Sequence, residues 1–552
     1  MIRRGLILSG LLIFSLIFSA CDSSYESSDV SNTDTKEKQS EVKDSTPVDG
    51  DWLIYHMGAE PGTLNPLTAR DVAENRVNSN KVYETLITRD NESLELIPIL
   101  AKSWQISEDK LIYTFKLKEN IKWHDGKPFT SSDVVFSYNS IMNPKVDAPQ
   151  LRAYYQEIQN VEALDKYTVK FTYARPYFLA LEFCGGMPII PKHIFEEGDI
   201  NKNPAGRYPI GTGPYRFSKW ETGREIVLEK NHDYWGEKPK IDKIVFKIIN
   251  DPNVAFQVLK KGEIDLLGLT PIQWVRQSNT DQFKNRINKH SYFAPNYRFI
   301  GWNIDKPFFT DNRVRKAMTH LVDRKLILEK IQYNLGAIVT NPFYLKSKEY
   351  DHSIQPYSYN PEKAKELLNE AGWIDTNSDG IRDKDGVKFE FEFLIPNGSD
   401  TSEKISTIIK EELDKVGVAM KIRKIEWAVF VQKLNERKFD AVTLGWSMGV
   451  ETDPFQVWHS SQVSGGGSNF VGFKNAEIDK IIEEARQEFD RNKRIELYKK
   501  FANIIHQEQP YTFLFCNKST IALNNRFAGV NIYPLGPDVL EWYVPLELQK
   551  YH

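Results

Sequence analysis

Cysteine is almost absent: Cys21, Cys184 and Cys516 are the only three in 552 residues. So sparse a set excludes a disulfide-dense scaffold. An exported form could still join Cys184 to Cys516. Sequence does not show whether their Cα atoms approach closely enough, and two separate buried thiols are the preferred expectation. Long hydrophobic runs are missing after residue 20, so no later segment is expected to span a bilayer. Excess positive charge is missing too. Lys and Arg number 72 against 75 Asp and Glu, a formal charge of −3. That balance gives no support to nucleic-acid binding. No short-period repeat is visible.

A catalytic constellation is also lacking. His124-Asp125 sits in a turn and reads as structural. Cys184, beside Gly185-Gly186, has neither a helix start nor a basic neighbour to activate a thiolate. Ser464-Gly465-Gly466-Gly467-Ser468 has no Lys of a phosphate loop and reads as a loop at a pocket rim. The chain is expected to bind rather than to react.

What is present begins at the N-terminus. Arg3 and Arg4 precede an uncharged run, Gly5 to Ala20, rich in Leu, Ile and Phe. A charged start, a short apolar stretch and small residues before a cut site make a secretory signal. The run is shorter than the about 20 residues of a spanning helix. Phe18-Ser19-Ala20-Cys21 resembles the lipobox of bacterial lipoproteins, which implies that Cys21 is diacylated and becomes the anchored N-terminus. Cleavage removes Arg3 and Arg4 and takes the formal charge to −5. Residues 22–50 are dominated by Ser, Thr, Asp, Lys and Glu and are expected to be a disordered stalk.

The rest of the chain is long enough for three or four domain-sized units. Aromatic residues reach 12%, which suits a large core and a pocket that stacks on a ligand. Globular patterning begins at Trp52-Leu53-Ile54-Tyr55, and strands are expected at Leu111–Leu117, Thr168–Tyr173, Glu225–Glu229 and Lys243–Ile249. Ser132 and Asp133 look like a helix start. Beyond Tyr297, helices alternate with strands. Asn360-Pro361 opens a helix with Ala364, Leu367, Leu368 and Ala371 on one face, closed by Gly372. Phe389, Phe391, Phe393 and Ile395 alternate as a strand. Helices led by Asn475 and running through Ile495 to Ile505 precede a strand at Tyr511–Phe515. This pattern is α/β.

Ordered blocks then resemble a known family. They are Leu100 to Trp104 with Phe129 to Val134, Gly211-Thr212-Gly213-Pro214-Tyr215, Asn231–Pro239, and Asn303 through Pro307-Phe308 to Asp323-Arg324. Together they resemble family 5 of the bacterial extracellular solute-binding proteins, the oligopeptide- and dipeptide-binding lipoproteins of ABC importers. The resemblance implies a bilobed type II periplasmic-binding-protein fold with a hinged cleft. It implies lobe I at 51–296, with an extra subdomain at about 95–207. Lobe II would span 297–514, and 515–552 would return to lobe I. The chain would cross between lobes near Tyr292–Asn303 and Phe513–Asn517.

By the same resemblance the protein is a monomer tethered outside the cytoplasmic membrane, on the periplasmic side in a Gram-negative cell. It delivers a peptide-like solute to permease subunits. Gly445 to Pro454 resembles the family's pocket loop, so Trp446, Ser447, Glu451 and Asp453 are the candidate ligand contacts. Peptide binders carry an Asp three residues after the Trp to hold the peptide ammonium; here that position is Gly449. Glu451 or Asp453 is left to substitute, and Asp453 also reads as a turn residue before Pro454. A nickel chelate, haem or an oligosaccharide is the alternative cargo. An exported hydrolase and a sensory receptor are the alternative classes.

No cofactor is required. One stretch resembles the start of a calcium loop, with oxygens from Asp375, Asn377, Asp379, the Ile381 carbonyl and Asp383. Its twelfth position, Gly386, lacks the usual carboxylate, and an acidic hairpin is the competing reading.

Overall fold

The computed structural model describes residues 46–69, 72–464 and 467–551. The leader, Cys21 and the stalk through residue 45 lie outside the described residues. The disordered segment is expected to reach Gly50, but the fold takes hold earlier. Asp49 pairs with Lys230 (3.3 Å) and Lys240 (3.4 Å), and the Gly50 N–H donates to the Lys240 carbonyl (2.9 Å). No helix among the described residues is long and apolar enough to cross a membrane.

A twelve-stranded sheet runs through the molecule. Its main path is Ala419–Ile425, Glu390–Pro396, Ala441–Ser447, Asn296–Trp302, Tyr511–Asn524, Leu266–Gly268, Trp52–Met57, Lys243–Ile248, Glu225–Lys230 and Tyr215–Glu221. Ile287–Phe293 and Gly336–Ile338 also pair with Tyr511–Asn524. That long strand is the spine. Its first part pairs with Arg298 to Gly301, and its last part with Ile287–Phe293 and Leu266–Gly268. Sequence reading ends the strand at Phe515, where polar residues interrupt the apolar run. Pairing on both sides carries it nine residues further, as tertiary context overrides local composition.

The buried apolar residues fall into two sets. One draws on Leu53 to Ile287 and returns at Ala522 to Val544. The other lies wholly between Tyr297 and Cys516. The backbone therefore passes from one set to the other twice, after Phe293 and within Tyr511–Asn524. This is a bilobed α/β architecture whose first lobe is discontinuous. Beside the first lobe stands a four-stranded antiparallel sheet in the order Ala101–Ile106, Ile112–Leu117, Thr168–Tyr173, Ile158–Asp165. Tyr113, Phe115 and Leu117 point into the core while Lys116 is exposed, the expected alternation. Their core is continuous with that of the first lobe. The helix here is Ser131–Met142, one residue earlier than Ser132, with Thr130 at its cap and the Asp133 carboxylate accepting from the Thr130 N–H (2.8 Å).

His124 explains the block Gly211 to Tyr215. Its Nδ1 accepts from the Gly211 N–H (3.2 Å), and its Nε2–H donates to the Gly213 carbonyl (3.0 Å). Two glycines are required because a Cβ at Gly211 would lie 1.7 Å from the Val82 carbonyl oxygen, and one at Gly213 2.3 Å from that of Lys81. The ring must be neutral to accept from Gly211. Burial, chiefly, pulls its pKa from 6.5 down to about 4. His506 is likewise drawn to about 4, first by burial and then by Arg324 and Lys316. A folded-state pKa below the unfolded value contributes stability that is complete above pH 6.5 and lost as pH falls through about 4. The thermal midpoint is therefore expected to fall over that window, and less steeply in His124→Gln. Equal slopes in calorimetry of the two proteins would contradict this.

Candidate functional site

Glu390–Pro396 and Ala441–Ser447 run parallel. Ligands of open α/β sheets settle beyond the carboxyl ends of such strands. Here those ends meet the first interlobe crossing: Ser447 lies opposite Asn296, and the Met448 N–H donates to the Pro295 carbonyl (3.0 Å). The candidate loop is thus held against the hinge by backbone bonds.

Trp446 stacks between Phe299 and Phe470, with centroids 6.4 and 5.9 Å away, and its indole lies beside the Tyr511 hydroxyl. It is half-buried. The Ser447 Oγ is buried and meets no hydrogen-bond partner among the described residues. Glu451 faces Arg494 (2.8 Å) and Arg491 (3.7 Å). Asp453 accepts from Arg486 Nε (2.9 Å), the Tyr177 hydroxyl (3.1 Å) and the Phe455 N–H (3.0 Å). Both carboxylates are therefore already matched by guanidinium groups from the helices Ala476–Gln487 and Arg491–Glu508. Asp453 also performs the turn role, since its oxygen holds the N–H two residues on.

Tyr177 belongs to the first core and Asp453 to the opposite lobe, so their bond spans the two. The same junction has the Phe178 N–H donating to the Arg486 carbonyl (2.9 Å). It also has Arg486 over the Tyr177 ring at 4.9 Å and Arg494 over the Phe178 ring at 4.2 Å. These four residues are absent from the sequence reading. Nothing in local periodicity marks an arginine that will meet an aromatic ring some 300 positions earlier. Arg298 was also missed, although a charge inside the apolar strand Asn296–Trp302 is a visible signal.

The acidic stretch forms a hairpin. Asp383–Lys384 pairs with Val387–Lys388 across Asp385-Gly386, both in left-handed conformation. Asp375 accepts from the N–H groups of Asp379 (3.2 Å) and Gly380 (3.0 Å), and Asn377 from that of Asp379 (3.0 Å). Asp379 accepts from the Ile381 N–H (2.9 Å) and from Lys388. Asp383 holds the Thr376 N–H (3.0 Å) and hydroxyl (2.7 Å). Among the described residues no three His, Cys, Asp or Glu side chains gather as a metal-holding group. Cys184 and Cys516 are free thiols buried in different cores. Asp125 pairs with His193 (2.7 Å). In the glycine-rich loop, Gly465 and Gly466 lie outside the described residues.

A two-lobed α/β fold, crossed twice at a hinge with its strand ends opening on the junction, is the architecture of the type II periplasmic-binding-protein fold. The profile described as bacterial extracellular solute-binding proteins, family 5 middle, matches residues 95–468, and the chain belongs to that family. Over 541 residues it is 32% identical to the oligopeptide-binding protein AppA of Bacillus subtilis, covering 96% of both chains. The structure of that AppA with a nonapeptide superposes with a TM-score of 0.77 over 90% of this chain and all of the other. NikZ from Campylobacter jejuni with Ni(L-His) is 28% identical, with a TM-score of 0.76 over 89% of this chain and 99% of its own. Heme-binding protein A of Haemophilus influenzae is 28% identical over 95% of this chain and 96% of its own.

Proposed function

We propose that the protein is the lipid-anchored solute receptor of an ABC importer and that its cargo is peptide-like. The observation that carries the cargo is the end-to-end likeness to an AppA solved with a nonapeptide. A main chain suits a junction where strand ends and a hinge strand meet, because backbone groups are read without regard to side chain. Solute touching both lobes favours the shut arrangement, since only that arrangement offers both sets of contacts. The loaded form then docks on the permease, and no chemistry is performed on the cargo. Anchoring is assigned to Cys21, and the working unit is the monomer.

The lobe limits proposed are 51–296 with 515–552, and 297–514. Trp446 and Ser447 are kept as solute contacts. Asp453 is assigned instead to holding the lobes together, and Glu451 to pairing with Arg494. Native mass spectrometry of gently purified protein tests the cargo. Retained peptides are expected; a retained sugar or metal chelate would overturn the assignment. NikZ supports the metal chelate as the second reading. Calcium at the Asp375 to Asp383 hairpin is not required, because the loop's own N–H groups and Lys388 take its oxygens. Chelation is therefore expected to leave the unfolding midpoint unchanged, and a fall in midpoint restored by added calcium would contradict this.

A further inference from the structure

Cations at the interlobe junction are left over. Arg298 has no carboxylate within ion-pairing distance among the described residues. One of its terminal nitrogens donates to the Ser402 hydroxyl, and its Nε is buried without an acceptor. Desolvation pulls this guanidinium down to about 10. Lys346 and Lys518 flank the Phe293 ring at 5.5 and 5.4 Å, and neither enters an ion pair among the described residues. Three acids of the junction are matched, Glu451 and Asp453 as described above and Glu349 on Arg491 (2.9 Å), while the exposed Glu95 stands near Arg491.

Three of the orphaned polar atoms share one face of the sheet, and the Trp446 indole nitrogen lies on the other. Arg298 lies opposite both Gly445 and Phe515, and Asn296 opposite Ser447. Side chains two apart on a strand point the same way, so Arg298, Ser447 and Asn517 belong to that face. The Ser447 Oγ and Asn517 Oδ1 are buried without partners. Gly445, between them, leaves the face open: a Cβ there would come within 4 Å of only the Tyr297 carbonyl oxygen, at 3.3 Å. Ser402 lies in the first turn of Asp400–Asp414, so Arg298 points its charge at the positive end of a fifteen-residue helix. Two positive features meet there, and the acids of that turn are paired with other cations, Asp400 with Lys404 (2.9 Å) and Glu403 with Lys424 (2.7 Å), so the buried polar atoms without partners still call for an acceptor.

We propose that the cleft grips its solute by a carboxylate. Arg298 and Ser447 donate to the anionic group, Asn517 accepts from a neighbouring amide N–H, and a free ammonium is not needed. The inference rests on the peptide-like reading and names the end of the peptide that is held. Donors to an ionised group give short, strong bonds, and a guanidinium presents two in parallel.

The test is calorimetric titration with one oligopeptide pool in three forms: free, N-acetylated and C-amidated. The free and N-acetylated forms are expected to bind alike, and the amide about 10- to 100-fold more weakly. Arg298→Met should erase the difference between acid and amide, and Arg298→Lys should restore part of it. An amide that binds as well as the acid, or acetylation that abolishes binding, would overturn the inference. A second readout needs no ligand. A guanidinium kept for an absent anion is a cost to the empty protein, so Arg298→Met should hold or raise its unfolding midpoint. A lower midpoint would mark a structural residue and overturn the inference. If no form of the peptide binds, the cargo reading fails, and this midpoint alone decides whether the anion site stands.

Discussion

Replacing Arg526 with Met is expected to destabilise the folded chain by about 3–5 kcal/mol, the cost of stripping one partner from a buried ion pair. Arg526 pairs with Asp51, donates to both oxygens of Asp265 (3.0 and 2.8 Å) and reaches the Trp52 carbonyl (2.7 Å). Side-chain exposures are 4% for the arginine, 0% for Asp51 and 2% for Asp265. The variant leaves two carboxylates in the interior without the guanidinium that pairs them. The damage extends further because Asp51 also holds the N–H groups of Lys550 (2.9 Å) and Tyr551 (3.3 Å). One guanidinium thus fastens the returning C-terminal segment to the first strand of the same lobe. Arg526→Lys should recover only part of the loss, since an ammonium cannot span the fork. Equilibrium urea unfolding checks this, and a change below about 1 kcal/mol would show that the seam is not what secures the segment.

Tyr177→Phe is the second large effect, and it is expected in binding rather than stability. The Tyr177 hydroxyl donates to Asp453 across the junction at 3.1 Å. A hydrogen bond to a charged acceptor contributes about 1.5–3 kcal/mol, or about 10- to 100-fold in affinity if it forms only when the lobes are shut. The loss should appear as faster dissociation, with association little changed. Asp453 keeps Arg486 in either arrangement because both belong to one lobe, so the ligand-free midpoint should hardly move. A stopped-flow series in which association slows instead, or in which the midpoint drops with the affinity, would show that the Tyr177 hydroxyl serves the stability of its own lobe and not the closing contact.

Local chemistry made much of this fold legible. The helix Pro361–Glu370 follows from Asn360 accepting the Lys363 N–H, Pro361 at the first position and Gly372 in left-handed conformation. Phe389, Phe391 and Phe393 are fully packed as their alternation implies. Legibility fails where the determinant is remote. The spine strand continues past Phe515 because Ile287–Phe293 comes to meet it, which no window around Cys516 can reveal. Glu451 and Asp453 look free in the chain, since the arginines that match them stand 43 and 33 residues later. The pocket loop was found by likeness to a family. What its acids do was decided by two helices whose sequences give no sign of it.

The central claim is that the two lobes close on a peptide-like solute. Small-angle X-ray scattering of the ligand-free protein, repeated with a saturating peptide whose binding is measured in the same sample, tests it most directly. The account predicts a smaller radius of gyration and a shorter maximum dimension in the bound sample. Superimposable curves at proven saturation would contradict closure.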